Sequence, residues 1–164
     1  MAVMISEIQR ESWPAARLIG KKYEAEPNWN EWWQNDWFAA LEKNAPLAIV
    51  GDAYLGAVRV VNGKPERWIG MLFPVDTPVP DGFEAVDLEP LDYAVCYLYG
   101  KQDSADFYTM FTHQLCLEAL RTQGYKRREN SWCFERYQCP RFTTPDENGN
   151  VILDYAISVE KCMD

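Results

Sequence analysis

The sequence predicts an α+β domain in which a mostly antiparallel sheet carries two helices on one face. A strand–helix–strand–strand order occurs twice, at about residues 13–75 and 92–159. The pairs Asn62-Gly63 and Asn148-Gly149 are turn signals, and Asn-Gly between strands is typical of antiparallel hairpins. With 164 residues, 48% of them apolar, the chain can bury a core without disulfides. We therefore expect a single domain over 1–164, built from duplicated βαββ modules with a pseudo-twofold axis and a central cleft.

The first helix is predicted to begin at Asn28 and to end near Asn44. Asn28 can cap the helix, and Glu31 three residues later completes a capping-box pattern. Trp32 and Phe38 fall outside the apolar stripe that a single helical wheel gives. That stripe, which we expect to pack in the core, consists of Trp29, Trp33, Trp37, Ala40 and Leu41.

The second helix is predicted over Ala105–Thr122, with Asp103 or Ser104 as its cap and Gly124 closing it. Its apolar stripe consists of Phe107, Phe111 and Leu115. The segment from Ile5 to Glu24 is predicted to be extended and broken at Pro14, with a strand at 15–20. The other strands are placed, from alternation and from bounding turn residues, at 54–61, 67–75, 83–88, 93–99, 131–139 and 151–159.

The charge balance excludes some partners. Lys and Arg total 16 against 25 Asp and Glu, which gives a net charge of −9. Such a field repels nucleic acid and attracts cations. The basic run Lys126-Arg127-Arg128 is too short to reverse this, and we interpret it as a solvated turn.

Cysteine and histidine usage predicts no metal site and no cofactor. The five cysteines, none of them in a CxxC pair, are Cys96, Cys116, Cys133, Cys139 and Cys162, and His113 is the single histidine. Zinc sites need several such ligands at tight spacing. The N-terminus resembles no signal peptide, and no apolar run is long enough to span a membrane. We therefore expect a cytoplasmic protein with reduced thiols.

Three short motifs resemble the GyrI-like effector-binding domains, which also occur as C-terminal ligand modules of AraC-type and MerR-type multidrug-responsive regulators. The first is Trp68-Ile69-Gly70-Met71, similar to the aromatic–X–Gly strand opening of that family. The second runs from Val79-Pro80-Asp81-Gly82-Phe83-Glu84 through Tyr93-Ala94-Val95 to Gly100. The third is Phe134-Glu135-Arg136-Tyr137, close to the C-terminal "E-x-Y" strand. Together with the doubled element order, the resemblance covers nearly the whole chain.

The resemblance implies a central cleft that binds lipophilic cations or other aromatic drugs. An acidic residue at the base of the cleft, on the "E-x-Y" strand, often meets the charge of the ligand, and Glu135 matches that position. Some members of the family are hydrolases that open cyclopropane-bearing natural products, and others bind DNA gyrase. The stretch before Trp13 is too short for a helix-turn-helix domain, so we expect a stand-alone ligand module without direct nucleic-acid binding.

Strand alternation places Cys133, Glu135 and Tyr137 on one face of the strand predicted at 131–139. A carboxylate between two apolar residues is costly to bury unless it is paired. A ligand cation could satisfy Glu135, but so could Arg136, Arg67, a backbone amide or solvent. The candidate ligand-binding residues are Glu135, Tyr137, Trp68, Met71, Tyr54 and Tyr97, and core packing is the alternative for each aromatic residue and for Met71.

Three hypotheses about function follow from these observations. The first is a stand-alone domain that binds or senses a small, cationic, amphiphilic and aromatic molecule. The second is a hydrolase acting on strained-ring compounds, with Glu135 and Tyr137 as catalytic residues. The third is a protein-interaction role, such as topoisomerase inhibition or partnership with a transcription regulator, which off-stripe aromatic residues such as Phe38 would support.

Overall fold

The computed structural model describes residues 3–48 and 50–161. The strands are β1 (Met4–Trp13), β2 (Ala16–Tyr23), β3 (Tyr54–Val61), β4 (Lys64–Pro74), β5 (Glu84–Leu88), β6 (Leu91–Lys101), β7 (Tyr125–Arg127), β8 (Cys133–Tyr137) and β9 (Asn150–Lys161). The helices are α1 (Trp29–Gln34), α2 (Trp37–Leu41) and α3 (Met110–Thr122), and a short 3-10 helix (Ala105–Tyr108) precedes α3. The predicted α+β class is confirmed.

All strands join one antiparallel sheet in the order β1-β6-β9-β8-β3-β4-β2-β5, with β7 paired to β9. This order is symmetric about its centre, because β6-β9-β8 of the second half mirrors β2-β4-β3 of the first. The flanking strands follow the same rule: β1 pairs with β6, and β5 pairs with β2. The central β3–β8 ladder runs from Tyr54↔Tyr137 to Val58↔Cys133.

The two faces of the sheet bury different clusters. One face carries the largest cluster, with Trp13, Leu55 and Phe134 in its core. On the other face, α1 and α2 cover Ile69, Met71 and Phe73 of β4, while α3 covers strands β6 and β9. Each helical segment therefore covers the outer strands of its own half.

The first predicted helix is two short helices, and its predicted core stripe is wrong in part. Asn28 does cap α1, because its side chain accepts a hydrogen bond from the Glu31 amide. The chain then breaks before α2 at Asp36, whose φ is +52°. This break rotates α2 relative to α1, so a single helical wheel does not give the buried face of both helices. Trp33 is consequently 55% exposed, whereas the off-stripe residues Trp32 and Phe38 are buried.

The second predicted helix also begins later than expected. Ser104 caps the 3-10 helix, and Thr109 then caps α3. Thr109 has an extended backbone conformation, so it interrupts the helical period between the 3-10 helix and α3. As a result Phe107 is buried but Phe111 is 70% exposed, contrary to the predicted stripe. The residues of α3 that pack inward are Thr112, Cys116 and Leu120.

The turn predictions have mixed outcomes. Asn62 and Gly63 both have positive φ, at +52° and +77°, and join β3 to β4 as predicted. The basic run at 126–128, interpreted as a solvated turn, instead contributes two residues to β7 and pairs with β9. Lys126 lies within 3.7 Å of Glu160 there, so acidic residues balance part of the run.

Candidate functional site

A cavity of about 840 Å³ opens on the helix-bearing face of the sheet, over the central strands β3 and β8. It exists because α1–α2 and α3 each cover their own half and leave these two strands uncovered. Small-molecule sites usually enclose about 300–1,000 Å³, so the volume suits a drug-sized ligand. The aromatic residues that line it are Trp29, Trp33, Tyr54, Trp68, Tyr108, Tyr137, Phe142 and Tyr155.

Glu135 lies at the floor of this cleft, on β8. Its side chain is half-buried, and its Oε1 accepts a hydrogen bond from the Tyr137 hydroxyl at 3.0 Å. None of the ion pairs among the described residues includes Glu135. Burial raises the pKa of Glu135, and the negative charge of Glu26 adds to the rise, while the Tyr137 hydrogen bond opposes it. The carboxyl group is therefore poised to gain from a cation beside it.

Arg136, a structural partner considered for Glu135 from the sequence, points to the opposite face of the sheet. Its guanidinium donates to Glu11 at 2.9 Å and to Asp154 at 2.7 Å. Side-chain alternation along β8 thus places the two neighbouring charges on opposite faces of the sheet. Arg136 therefore does not pair with the Glu135 carboxylate, which faces the cleft.

Aromatic rings surround the carboxylate. The Trp29 ring meets the Tyr137 ring edge-to-face at 5.2 Å between centroids, and Phe142 meets Tyr137 in the same manner at 4.9 Å. Tyr54 stacks on buried Phe38 at 3.7 Å between ring centroids. Its hydroxyl donates a hydrogen bond to Glu42, which also lines the cleft. Through these ring contacts the aromatic side chains form the walls of the cleft.

The cleft carries an excess of negative charge. Its acidic residues are Glu26, Glu42, Asp52 and Glu135, whereas Arg67 is the basic residue among the lining side chains. A concave site with one sign of charge raises the local concentration of oppositely charged ligands. The electrostatics of the site therefore favour cations.

A second polar group lies at the α3 side of the cleft. The Tyr155 hydroxyl is 2.6 Å from Nδ1 of His113. Burial lowers the pKa of His113, with the charge of Arg127 adding to the effect, and this favours the neutral ring. Burial raises the pKa of Cys133, which lines the same wall, and this disfavours its thiolate.

The structure brings four of the six predicted site residues to the cleft, namely Glu135, Tyr137, Tyr54 and Trp68. Trp68 lines the cleft, but its indole packs in the cluster on the opposite face of the sheet and donates a hydrogen bond to Glu66 at 3.1 Å. Met71 and Tyr97 lie outside the cleft. Met71 is on the helix-bearing face of the sheet, as the cleft is, but it is 1% exposed beneath α1–α2. Tyr97 packs against Arg141 on the opposite face.

Several cleft residues were not predicted from the sequence. Trp29 and Tyr108 belong to helical segments, and Phe142 to the β8–β9 connection, so strand alternation gives no signal for them. Tyr155 lies on a predicted strand, but its pairing with Glu135 across the β8–β9 ladder depends on a strand register that the sequence does not show.

Residues 3–48 and 50–161 contain no group of three or more potential ligands arranged to hold a metal ion. Their cysteines Cys96, Cys116, Cys133 and Cys139 are free thiols, and Cys162 lies outside the described residues. No helix in this part of the chain is long and apolar enough to cross a membrane.

No protein-family model matches the sequence, and the search of curated proteins found no match. Solved structures do resemble it. SAV2435 bound to tetraphenylphosphonium is 16% identical over 94% of each chain, with a TM-score of 0.69. A Staphylococcus aureus MU50 protein is 18% identical over 94% of this chain and 98% of its own, with a TM-score of 0.68. The EcmrR C-terminal domain is 9% identical over 96% and 99%, with a TM-score of 0.61. The chain therefore has the fold of these proteins, as its resemblance to effector-binding domains predicts.

Proposed function

We propose that this chain is an effector-binding domain of the GyrI-like type that holds a lipophilic aromatic cation in the cleft, with Glu135 as its counter-charge. The observation that carries the proposal is a half-buried carboxylate, outside every ion pair of the described residues, at the floor of an aromatic-walled cavity of about 840 Å³. The tetraphenylphosphonium bound to SAV2435, which shares the fold, supports the same ligand class.

The physical chemistry of the cleft favours a delocalised cation over a hydrated one. A delocalised cation loses little hydration on entering an apolar cleft and gains from the faces of Trp and Tyr rings. It also supplies the positive charge that a desolvated carboxylate lacks. A neutral ligand would bury the rings equally well but would leave Glu135 uncompensated.

Tetraphenylphosphonium is the probe for the test. Trp29 and Trp33 line the cleft, so binding should change tryptophan fluorescence, and calorimetry should give the dissociation constant. Glu135→Gln keeps the shape of the side chain and removes its charge. We expect it to weaken binding by at least about tenfold, which corresponds to about 1.4 kcal/mol.

Glu118→Gln is the matched control, because Glu118 is an exposed acid on α3 outside the cleft. It changes the net charge by the same amount and should leave the affinity close to that of the wild type. Equal affinities for wild type and Glu135→Gln would contradict the proposal.

Hydrolysis is a second candidate function, and the Glu135–Tyr137 pair favours it. A carboxylate with a raised pKa, which accepts a hydrogen bond from a tyrosine at 3.0 Å, has the properties of a general base that activates water. Incubation with strained-ring electrophiles should then give product with the wild type and none with Glu135→Gln.

The protein-interaction hypothesis has lost one of its supporting residues, because Phe38 is buried against Trp32 and Tyr54.

A further inference from the structure

We propose that Gly56 is a positioning residue for cation binding. Because it has no side chain, it leaves free the space that the Glu135 carboxylate occupies. This inference rests on the proposed function, since it concerns the same cleft. Gly56 and Glu135 face each other directly in the β3–β8 ladder. Side chains of directly opposed residues stand on the same face of an antiparallel pair, with Cβ atoms about 4.5–5.5 Å apart. The carboxylate therefore lies over the space where a side chain at residue 56 would stand.

The geometry shows how tightly that space is used. A Cβ atom on Gly56 would lie 2.7 Å from Oε1 of Glu135 and 3.3 Å from Cζ2 of Trp29. The first distance is shorter than van der Waals contact allows, so the carboxylate would have to move. The second requires Trp29 to shift by only a few tenths of an ångström.

Gly56 differs in this respect from Gly20 on β2 and Gly70 on β4. At Gly20 and Gly70, an added Cβ would meet backbone carbonyl oxygens at 1.9 and 2.2 Å, so those glycines are needed for β2 and β4 to approach each other. At Gly56, both close atoms belong to side chains, and the nearer one is the free end of a flexible glutamate. An alanine there should leave the sheet intact and displace the carboxylate.

The backbone does not require glycine at this position either. Gly56 is not among the positive-φ residues, so an L side chain fits its conformation. Glycine in a strand interior weakens the strand, because it adds conformational entropy to the unfolded chain and packs nothing. What the glycine supplies in return is room for Glu135 and the Trp29 ring at the centre of the sheet.

The test compares a cation with its neutral isostere on the full chain. N-methylacridinium and acridine have nearly the same shape, and only the former is charged at mildly alkaline pH. By calorimetry, Gly56→Ala should weaken N-methylacridinium binding by at least about tenfold. Acridine binding should change by less than about threefold, because the cleft walls persist. In a Glu135→Gln background, Gly56→Ala should cost the cation little more, since the charge that it displaces is gone.

The outcomes separate this inference from the proposed function. If the wild type fails to bind N-methylacridinium, or if Glu135→Gln binds it equally well, the proposed function fails. If both behave as expected but Gly56→Ala binds the cation as the wild type does, only the role of Gly56 is overturned. An equal loss for both ligands would also overturn it, since that indicates general damage to the cleft. Should Gly56→Ala fold poorly, Gly56→Ala/Trp29→Phe, measured against Trp29→Phe, relieves the second contact and gives the same comparison.

Discussion

Replacement of Arg136 by methionine should destabilise the protein strongly, because it breaks an ion-pair network buried on the face opposite the cleft. The Arg136 side chain is 3% exposed; it donates bidentately to Glu11, which is 17% exposed, and also to Asp154, which is 0% exposed. Removing one partner of a buried pair costs about 3–5 kcal/mol, because the remaining charge stays buried without compensation. Asp154 keeps Arg141 at 2.7 Å and Glu11 keeps the Trp13 indole at 2.9 Å, so we expect the lower end of that range.

About 3 kcal/mol should lower the midpoint of thermal unfolding by about 6–12 °C for a domain of this size. The assay is thermal and urea unfolding followed by circular dichroism, with Arg10→Met as the matched control. Arg10 pairs with Asp92 at the surface, with side chains 46% and 38% exposed, and exposed pairs contribute little. If Arg136→Met unfolds at the same midpoint as Arg10→Met, the network adds no net stability and the reasoning is refuted.

Three further predictions concern the cleft and the helices. Since burial raises the pKa of Glu135, the affinity for tetraphenylphosphonium should fall as the pH is lowered through that raised pKa, and Glu135→Gln should remove this dependence in a calorimetric pH series. Phe38→Ala should cost about 3–5 kcal/mol in urea unfolding because Phe38 is buried, whereas Trp33→Ala should chiefly weaken ligand binding; equal destabilisation would contradict the burial assignment. Phe107→Ala should destabilise the fold by a similar amount, and Phe111→Ala should leave the unfolding midpoint within about 2 °C of the wild type, as expected for an exposed ring.

The strands other than β7 could be predicted from the sequence because their signals are local. Alternation over 54–61 identified β3 to the residue, and Asn62-Gly63 fixed the following hairpin through two positive φ angles. Helix faces depend on an unbroken period, and that period was interrupted at Asp36 and at Thr109. A wheel drawn across such a break assigns Trp33 and Phe111 to the core, although both are exposed.

The cleft could be predicted only in part for a similar reason. Alternation and the "E-x-Y" resemblance placed Glu135 and Tyr137 on one face, and both line the cleft. Alternation gives the face of a residue but not what covers that face, so Met71 was expected in the site although α1–α2 bury it. Gly56 carries no local signal at all, because its opposition to Glu135 depends on the register of two strands far apart in sequence.

The symmetry of the sheet explains why the charge lies where it does. The β3–β8 ladder is the centre of the strand order, and Gly56↔Glu135 is the middle of the pairs that form it. Two carboxylates at these facing positions would lie side by side in a half-buried cleft, and like charges so close cannot both ionise readily. With glycine on one half and glutamate on the other, the cleft presents a single carboxylate at its floor, flanked by the rings of Trp29 and Tyr137. A floor with one negative charge and aromatic walls is complementary to one delocalised positive charge, which a symmetric pair of modules could not provide.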